Sequence, residues 1–122
     1  MIFVFGGAYQ GKRDFVKENF SVQDGDESIL DNINEWIRNL VEDNRDSDAG
    51  LDALLLDISE REKELPQGRE VIIIMNDVSQ GLVPMDPVER AYREANGRAM
   101  IKLAKEASAV YRVFCGIGTK IK

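Results

Sequence analysis

The sequence predicts an α/β fold in three layers: a mainly parallel sheet with helices on both faces. Two observations lead there. Short apolar runs alternate with longer stretches in which apolar residues recur at helical spacing, the order expected of strand and helix in turn. The two clearest runs, Ile2-Phe3-Val4-Phe5 and Val71-Ile72-Ile73-Ile74-Met75, are also apolar at every position, so both faces of those strands need cover. At 122 residues the chain has room for one core, and a single domain over residues 1–122 is expected.

The first strand runs directly into Gly6-Gly7-Ala8-Tyr9-Gln10-Gly11-Lys12-Arg13. Gly6, Gly11 and Lys12 meet the spacing G-x-x-x-x-G-K, and a helix follows, predicted over Lys12 to Phe20 with Phe15 and Val16 facing the sheet. In a P-loop of this kind backbone N–H groups wrap a phosphate, the lysine ammonium reaches its outer oxygens, and the helix aims its positive end at the same point. One position departs from the pattern. Arg13 stands where Ser or Thr would ligate magnesium, and a guanidinium has no lone pair for a metal, although it can pair with phosphate directly. The competing reading is a plain glycine turn with Lys12 and Arg13 solvated.

Ser21 to Glu27 is polar and reads as a loop, and Ile29-Leu30 as the end of a short strand. Ile33, Trp36, Ile37, Leu40 and Val41 then form one apolar stripe of a helix, in which Trp36 is read as core. Asp31, just before it, fits either a helix N-cap or a site carboxylate. Glu42 to Gly50 is expected to be a mobile acidic loop, and Leu51 to Leu65 a helix stopped by Pro66 and Gly68. After the strand Val71 to Met75, Asn76 to Met85 is expected as a long loop at its carboxyl end. There Asn76 and Asp77 either line a site or only shape a turn.

Asp86-Pro87-Val88-Glu89 is a helix start, with Asp as N-cap and proline at the first helical position. That helix is predicted to reach Glu106 or Ala107, with Gly97 marking a close approach or a kink. Val110 to Cys115 is the last long strand, and Thr119 to Lys122 a short segment that pairs back on the sheet edge. In such a sheet ligands collect at the carboxyl ends of the strands. Gly6 to Arg13, Asp31 and Asn76 to Pro84 all belong to that end.

Composition narrows the function. The formal charge is −6 and no basic tract occurs, so no extended surface is offered to a nucleic acid, while Lys12 and Arg13 could still hold a nucleotide. There is no histidine, which removes the commonest general base and metal ligand and any nucleotidyl-histidine intermediate. Cys115 is the sole cysteine, so an internal disulfide is impossible and a reducing, cytoplasmic setting is expected. The longest aliphatic run is too short to span a bilayer, so no membrane partner is expected.

Several blocks carry a resemblance: Gly6-Gly7-Ala8 with Gly11-Lys12; Ile29-Leu30-Asp31 with Trp36 and Asn39-Leu40; Asn76-Asp77-Val78 with Gly81-Leu82-Val83-Pro84; Arg90, Arg93 and Gly97-Arg98; and Gly116 to Lys122. Together they resemble the bifunctional adenosylcobinamide kinase and adenosylcobinamide-phosphate guanylyltransferase family of cobalamin biosynthesis. The resemblance covers about the first twenty residues and the last fifty. It implies a P-loop nucleotide-binding fold, assembled as a trimer, that binds GTP or ATP, phosphorylates a cobinamide-type corrinoid and then attaches GMP. It implies further that Lys12 binds nucleotide phosphates, that Asp31 serves catalysis near the metal or the attacking hydroxyl, and that Asn76, Asp77, Gly81, Pro84, Arg90 and Arg93 line the cleft.

The departures from that family bear on activity. The segment with the histidine that accepts GMP is missing, Ser or Thr after the lysine has become Arg13, an Asn-Gln pair appears as Met100-Ile101, and a Glu has shortened to Asp77. Guanylyl transfer is therefore expected to be lost, and Mg2+ has lost one of its ligands. Two classes of function stand beside each other: a reduced cobinamide kinase, and a non-catalytic binding or assembly subunit. In most proteins Arg90 and Arg93 would be solvated helix residues, and only the resemblance raises them.

Overall fold

The computed structural model describes residues 1–78 and 86–122. Five strands form one sheet in the order β2-β3-β1-β4-β5, with β1 (Ile2–Gly6), β2 (Ile29–Leu30), β3 (Ile72–Asn76), β4 (Ala109–Phe114) and β5 (Ile117–Lys120). The first four pair in parallel, and β5 returns antiparallel along β4 through Gly116. β1 lies in the middle because its side chains are apolar on both faces. Phe3 and Val4 are fully buried on opposite sides of the sheet, and burying each is worth about 1.5–3 kcal/mol. In register, Ile2 lies between Ile72 and Ala109, and Gly6 lies beside Asn76.

Four helices cover the sheet: α1 (Lys12–Phe20), α2 (Ile33–Glu42), α3 (Ser47–Glu64) and α4 (Pro87–Glu106). α2, α3 and α4 bury Ile33, Ile37, Leu51, Ile58, Tyr92, Ala95, Ala99 and Leu103 against Phe3, Ile73, Met75 and Val110. Of the described helices α1 covers the other face, where Phe15 and Val16 meet Val4, Ile72, Ile74 and Val113. The three-layer α/β reading therefore holds. Trp36 is partly buried against the larger core, as its place in the helical stripe indicates.

The elements differ from expectation at five points; the first is that β5 begins at Ile117 and ends at Lys120, because the chain reverses already at Cys115 and Gly116, both with positive φ, where Thr119 to Lys122 was expected to pair. α3 begins at Ser47, so the acidic stretch read as loop to Gly50 is helical in its last turn. Asp46 caps it, its side chain accepting hydrogen bonds from the N–H groups of Asp48 and Ala49 at 3.0 and 3.2 Å. Asn32, not Asp31, is the N-cap residue of α2, and it caps without a side-chain hydrogen bond. β3 extends one residue further, to Asn76, which shortens the expected loop, and Ser79 to Met85 lie outside the described residues. α4 runs unbroken through Gly97, where an added Cβ would meet open space rather than a close neighbour.

The start of α4 is as expected: Pro87 opens it and Asp86 accepts from the Val88 N–H at 2.9 Å. No helix among the described residues is long and apolar enough to cross a membrane.

Candidate functional site

β1 ends at Gly6 because the backbone must pass within contact of β4, where a Cβ on Gly6 would lie 2.3 Å from the Val113 carbonyl oxygen. The loop that follows turns sharply. Tyr9 adopts a left-handed conformation (φ 59°) with its ring in solvent, and Gly11 does the same (φ 83°) as the residue before α1. Two further contacts pin the loop to the β4–β5 turn. The Gln10 side-chain oxygen accepts from the Cys115 N–H at 2.8 Å, and the Gln10 carbonyl accepts from the Gly116 N–H at 2.7 Å.

Lys12 is the first residue of α1 and is only 8% exposed. Its ammonium folds back and donates to the Gly7 carbonyl oxygen at 2.6 Å, while burial lowers its pKa from the ordinary lysine value. A buried cation whose partner among the described residues is a neutral carbonyl gains from an anion brought beside it. Arg13, one residue on, pairs through Nη2 with Asp31 Oδ2 at the end of β2. Asp31 is thus tied to α1 and does not cap α2.

These groups border a cleft of about 490 Å3 at the carboxyl end of the parallel strands, lined by Ala8 to Asp14, Asp31, Asn34, Ile74 and Asn76. The structure therefore gathers Ala8, Tyr9, Gln10, Gly11, Lys12, Arg13, Asp31 and Asn76 from the sequence-expected set. Gly6 and Gly7 form the backbone leading into it. Asp77 sits beside Gly6, its N–H donating to the Gly6 carbonyl at 2.8 Å. Arg90 and Arg93 stand on the first two turns of α4 and are not among the lining residues. Gly81 and Pro84 lie outside the described residues.

Sequence reasoning named Asn76 but missed the two asparagines bonded to it, Asn34 on the cleft lining and Asn96 buried behind it. Asn34, on the first turn of α2, accepts from the Asn76 N–H at 2.9 Å and donates to the Asn76 carbonyl at 3.0 Å, so its carboxamide continues the sheet ladder beyond the end of β2. Asn96, 1% exposed on α4, accepts from the Asn34 amide at 2.9 Å and donates toward the Asn76 carbonyl at 3.4 Å. Gln10 belongs to the expected nucleotide-binding loop, but the sequence gives no sign of its bridge to the hairpin. None of these has a local signal, since each partner is distant in sequence.

For a metal, the donors available are sparse. Asp31 and Asp14 are the carboxylates on the cleft lining, and among the described residues no three carboxylate or thiol side chains gather to hold an ion. The arrangement can hold an anion between the loop N–H groups, the Lys12 ammonium and the Arg13 guanidinium.

Comparison with known proteins agrees with this architecture. The family model described as cobinamide kinase / cobinamide phosphate guanyltransferase matches residues 10–121. Two curated relatives are each 40% identical over 53 residues: the bifunctional adenosylcobalamin biosynthesis protein CobU of Salmonella typhimurium strain LT2 and that of Escherichia coli strain K12. The matched stretch covers 43% of this chain and 29% of each relative, so the chain spans less than a third of their length in common. With the family model matching nearly the whole sequence, the chain belongs to the cobinamide kinase / cobinamide phosphate guanyltransferase family.

Proposed function

We propose that this chain binds the phosphates of GTP or ATP at Gly6 to Arg13 and serves cobalamin biosynthesis as a nucleotide-binding protein without guanylyl transfer. The observation that carries the reading is Lys12, an ammonium buried at the start of a helix, directly behind a left-handed glycine, that among the described residues donates to the Gly7 carbonyl. The glycine loop, the start of α1 and the Lys12 ammonium adjoin at one end of the cleft, and the complement of a helix dipole and an ammonium is a phosphate group.

The chemistry after binding is reduced. With no histidine, this chain has no side chain of the type that carries GMP in the family it belongs to. A kinase step on a cobinamide-type corrinoid would call on Asp31, and that carboxylate is engaged by Arg13. The second reading, a binding or assembly subunit acting as a homo-oligomer, is favoured by Phe114, Ile117 and Ile121, three large apolar side chains left in solvent on the β4–β5 hairpin.

Titration calorimetry with GTP and ATP tests the site. Lys12→Ala is expected to cut affinity ten-fold or more, at least about 1.4 kcal/mol, close to the lower end of the range for hydrogen bonds to charged groups. Absence of heat with either nucleotide, or binding unchanged in Lys12→Ala, overturns the reading. Incubation with labelled GTP is expected to leave no acid-labile nucleotide on the protein, and an adduct would restore guanylyl transfer to it.

A further inference from the structure

The residue after Lys12 decides which cation the cleft uses. A magnesium ion in a cradle of this shape takes a hydroxyl oxygen from that position and shares a nearby carboxylate. Here the position holds a guanidinium, which offers no lone pair, brings its own charge and closes on Asp31. Asp14, the other lining carboxylate, faces the Lys17 ammonium at 3.6 Å. The described residues do not fit a magnesium ion.

Resting on the reading that the cleft binds a nucleotide's phosphates, we propose that Arg13 is the cleft's built-in cation, that Asp31 is its resting counter-ion, and that the ligand is polyphosphate free of metal. Arg13 is 62% exposed along its side chain and Asp31 33%, so their pairing is solvated and weak enough to exchange. A polyphosphate presents several charges and paired oxygens to the guanidinium fork, where Asp31 presents one carboxylate. On entry of the ligand Arg13 turns from Asp31 to the phosphates. Magnesium on the ligand cancels phosphate charge and sets a second cation beside Arg13, so it opposes binding.

The sign for Asp31 follows and is unusual for a residue in such a cleft. A catalytic or metal-holding carboxylate aids nucleotide binding with metal, whereas a resting counter-ion competes with the ligand for Arg13. Removing its charge therefore tightens binding by as much as an exposed ion pair is worth, up to about five-fold.

Calorimetry with inorganic tripolyphosphate and with ATP, in chelator and in excess magnesium, decides between these. Wild type is expected to bind both probes several-fold more tightly in chelator. Asp31→Asn is expected to strengthen the chelator value further. Arg13→Ser is expected to weaken it and to reverse the preference, so that magnesium now helps. Thermal melts of both variants check that they fold. Tighter binding with magnesium in wild type, or weaker metal-free binding in folded Asp31→Asn, overturns the proposal while leaving the phosphate cleft intact. No binding of either probe under any condition overturns the cleft and this inference together.

Discussion

Asn34 sits on a helix but hydrogen-bonds as a strand would. β2 stops at Leu30, opposite Ile73, and the Asn76 N–H and carbonyl further along β3 are left facing α2 without a strand to meet them. The Asn34 carboxamide supplies both complements, and Asn96 holds it in the one orientation that does so. Asn34→Ala leaves the Asn76 N–H at a half-buried strand end unsatisfied and its carbonyl with only the longer Asn96 bond, and is expected to cost about 1–3 kcal/mol, read as a lower urea midpoint at unchanged slope. A loss below about 0.5 kcal/mol would mean that water replaces the amide. Nothing near Asn34 or Asn96 in the chain announces this. An asparagine within a helical stripe reads as a solvated residue, and its partner is set by where β2 ends. The placement of Lys12, by contrast, was legible, because it depends on a glycine loop and a helix start that adjoin it in sequence.

Elements meet most closely at two glycines, and both contacts bear on the cleft. A Cβ on Gly118 of β5 would lie 2.1 Å from the Phe15 ring of α1, and one on Gly6 would strike the β4 backbone. Gly118→Ala is expected to destabilise by about 1–3 kcal/mol, since the ring must leave its place beside Phe20 and Tyr111. Gly6→Ala is expected to cost more, because a strand carbonyl cannot swing aside. Chemical denaturation of the two variants ranks them, and a Gly6→Ala protein as stable as wild type would show that β4 yields. Most elements were legible from periodicity and caps: the apolar runs of β1 and β3, the stripe of α2, the Asp-Pro start of α4. The start of α3 was not, because Asp46, Ser47 and Asp48 have the composition of a loop and the capping that makes them helical is itself polar.

Across the whole molecule, ion pairs join segments that are distant in sequence. Asp26 accepts from the Ser28 N–H and hydroxyl and from Arg69, and these hydrogen bonds hold its carboxyl at about 2, below the ordinary 3.8. Glu89 is likewise lowered by Arg38, which joins α2 to α4 and lies over the Tyr92 ring at 4.1 Å. A carboxylate lowered on folding stabilises fully above its unfolded value and loses that contribution as pH falls through the folded one. Unfolding of wild type and Asp26→Asn is therefore expected to differ at neutral pH and to converge between pH 3.8 and about 2. A constant gap over that window would locate the effect in the Ser28 contacts rather than in charge. Sedimentation at micromolar concentration tests assembly, where a clean monomer would speak against the homo-oligomer. The strand order has a consequence for how the protein is made. β1 is the middle strand, yet Ile2 pairs with Ile72 on one side and Ala109 on the other. At about 5–20 residues per second, the ribosome leaves this apolar strand without its second neighbour for roughly 5–20 s. Until β3 emerges the nascent chain offers both edges of this apolar strand, and until β4 emerges it offers one, so its yield in a cell depends on what shields them.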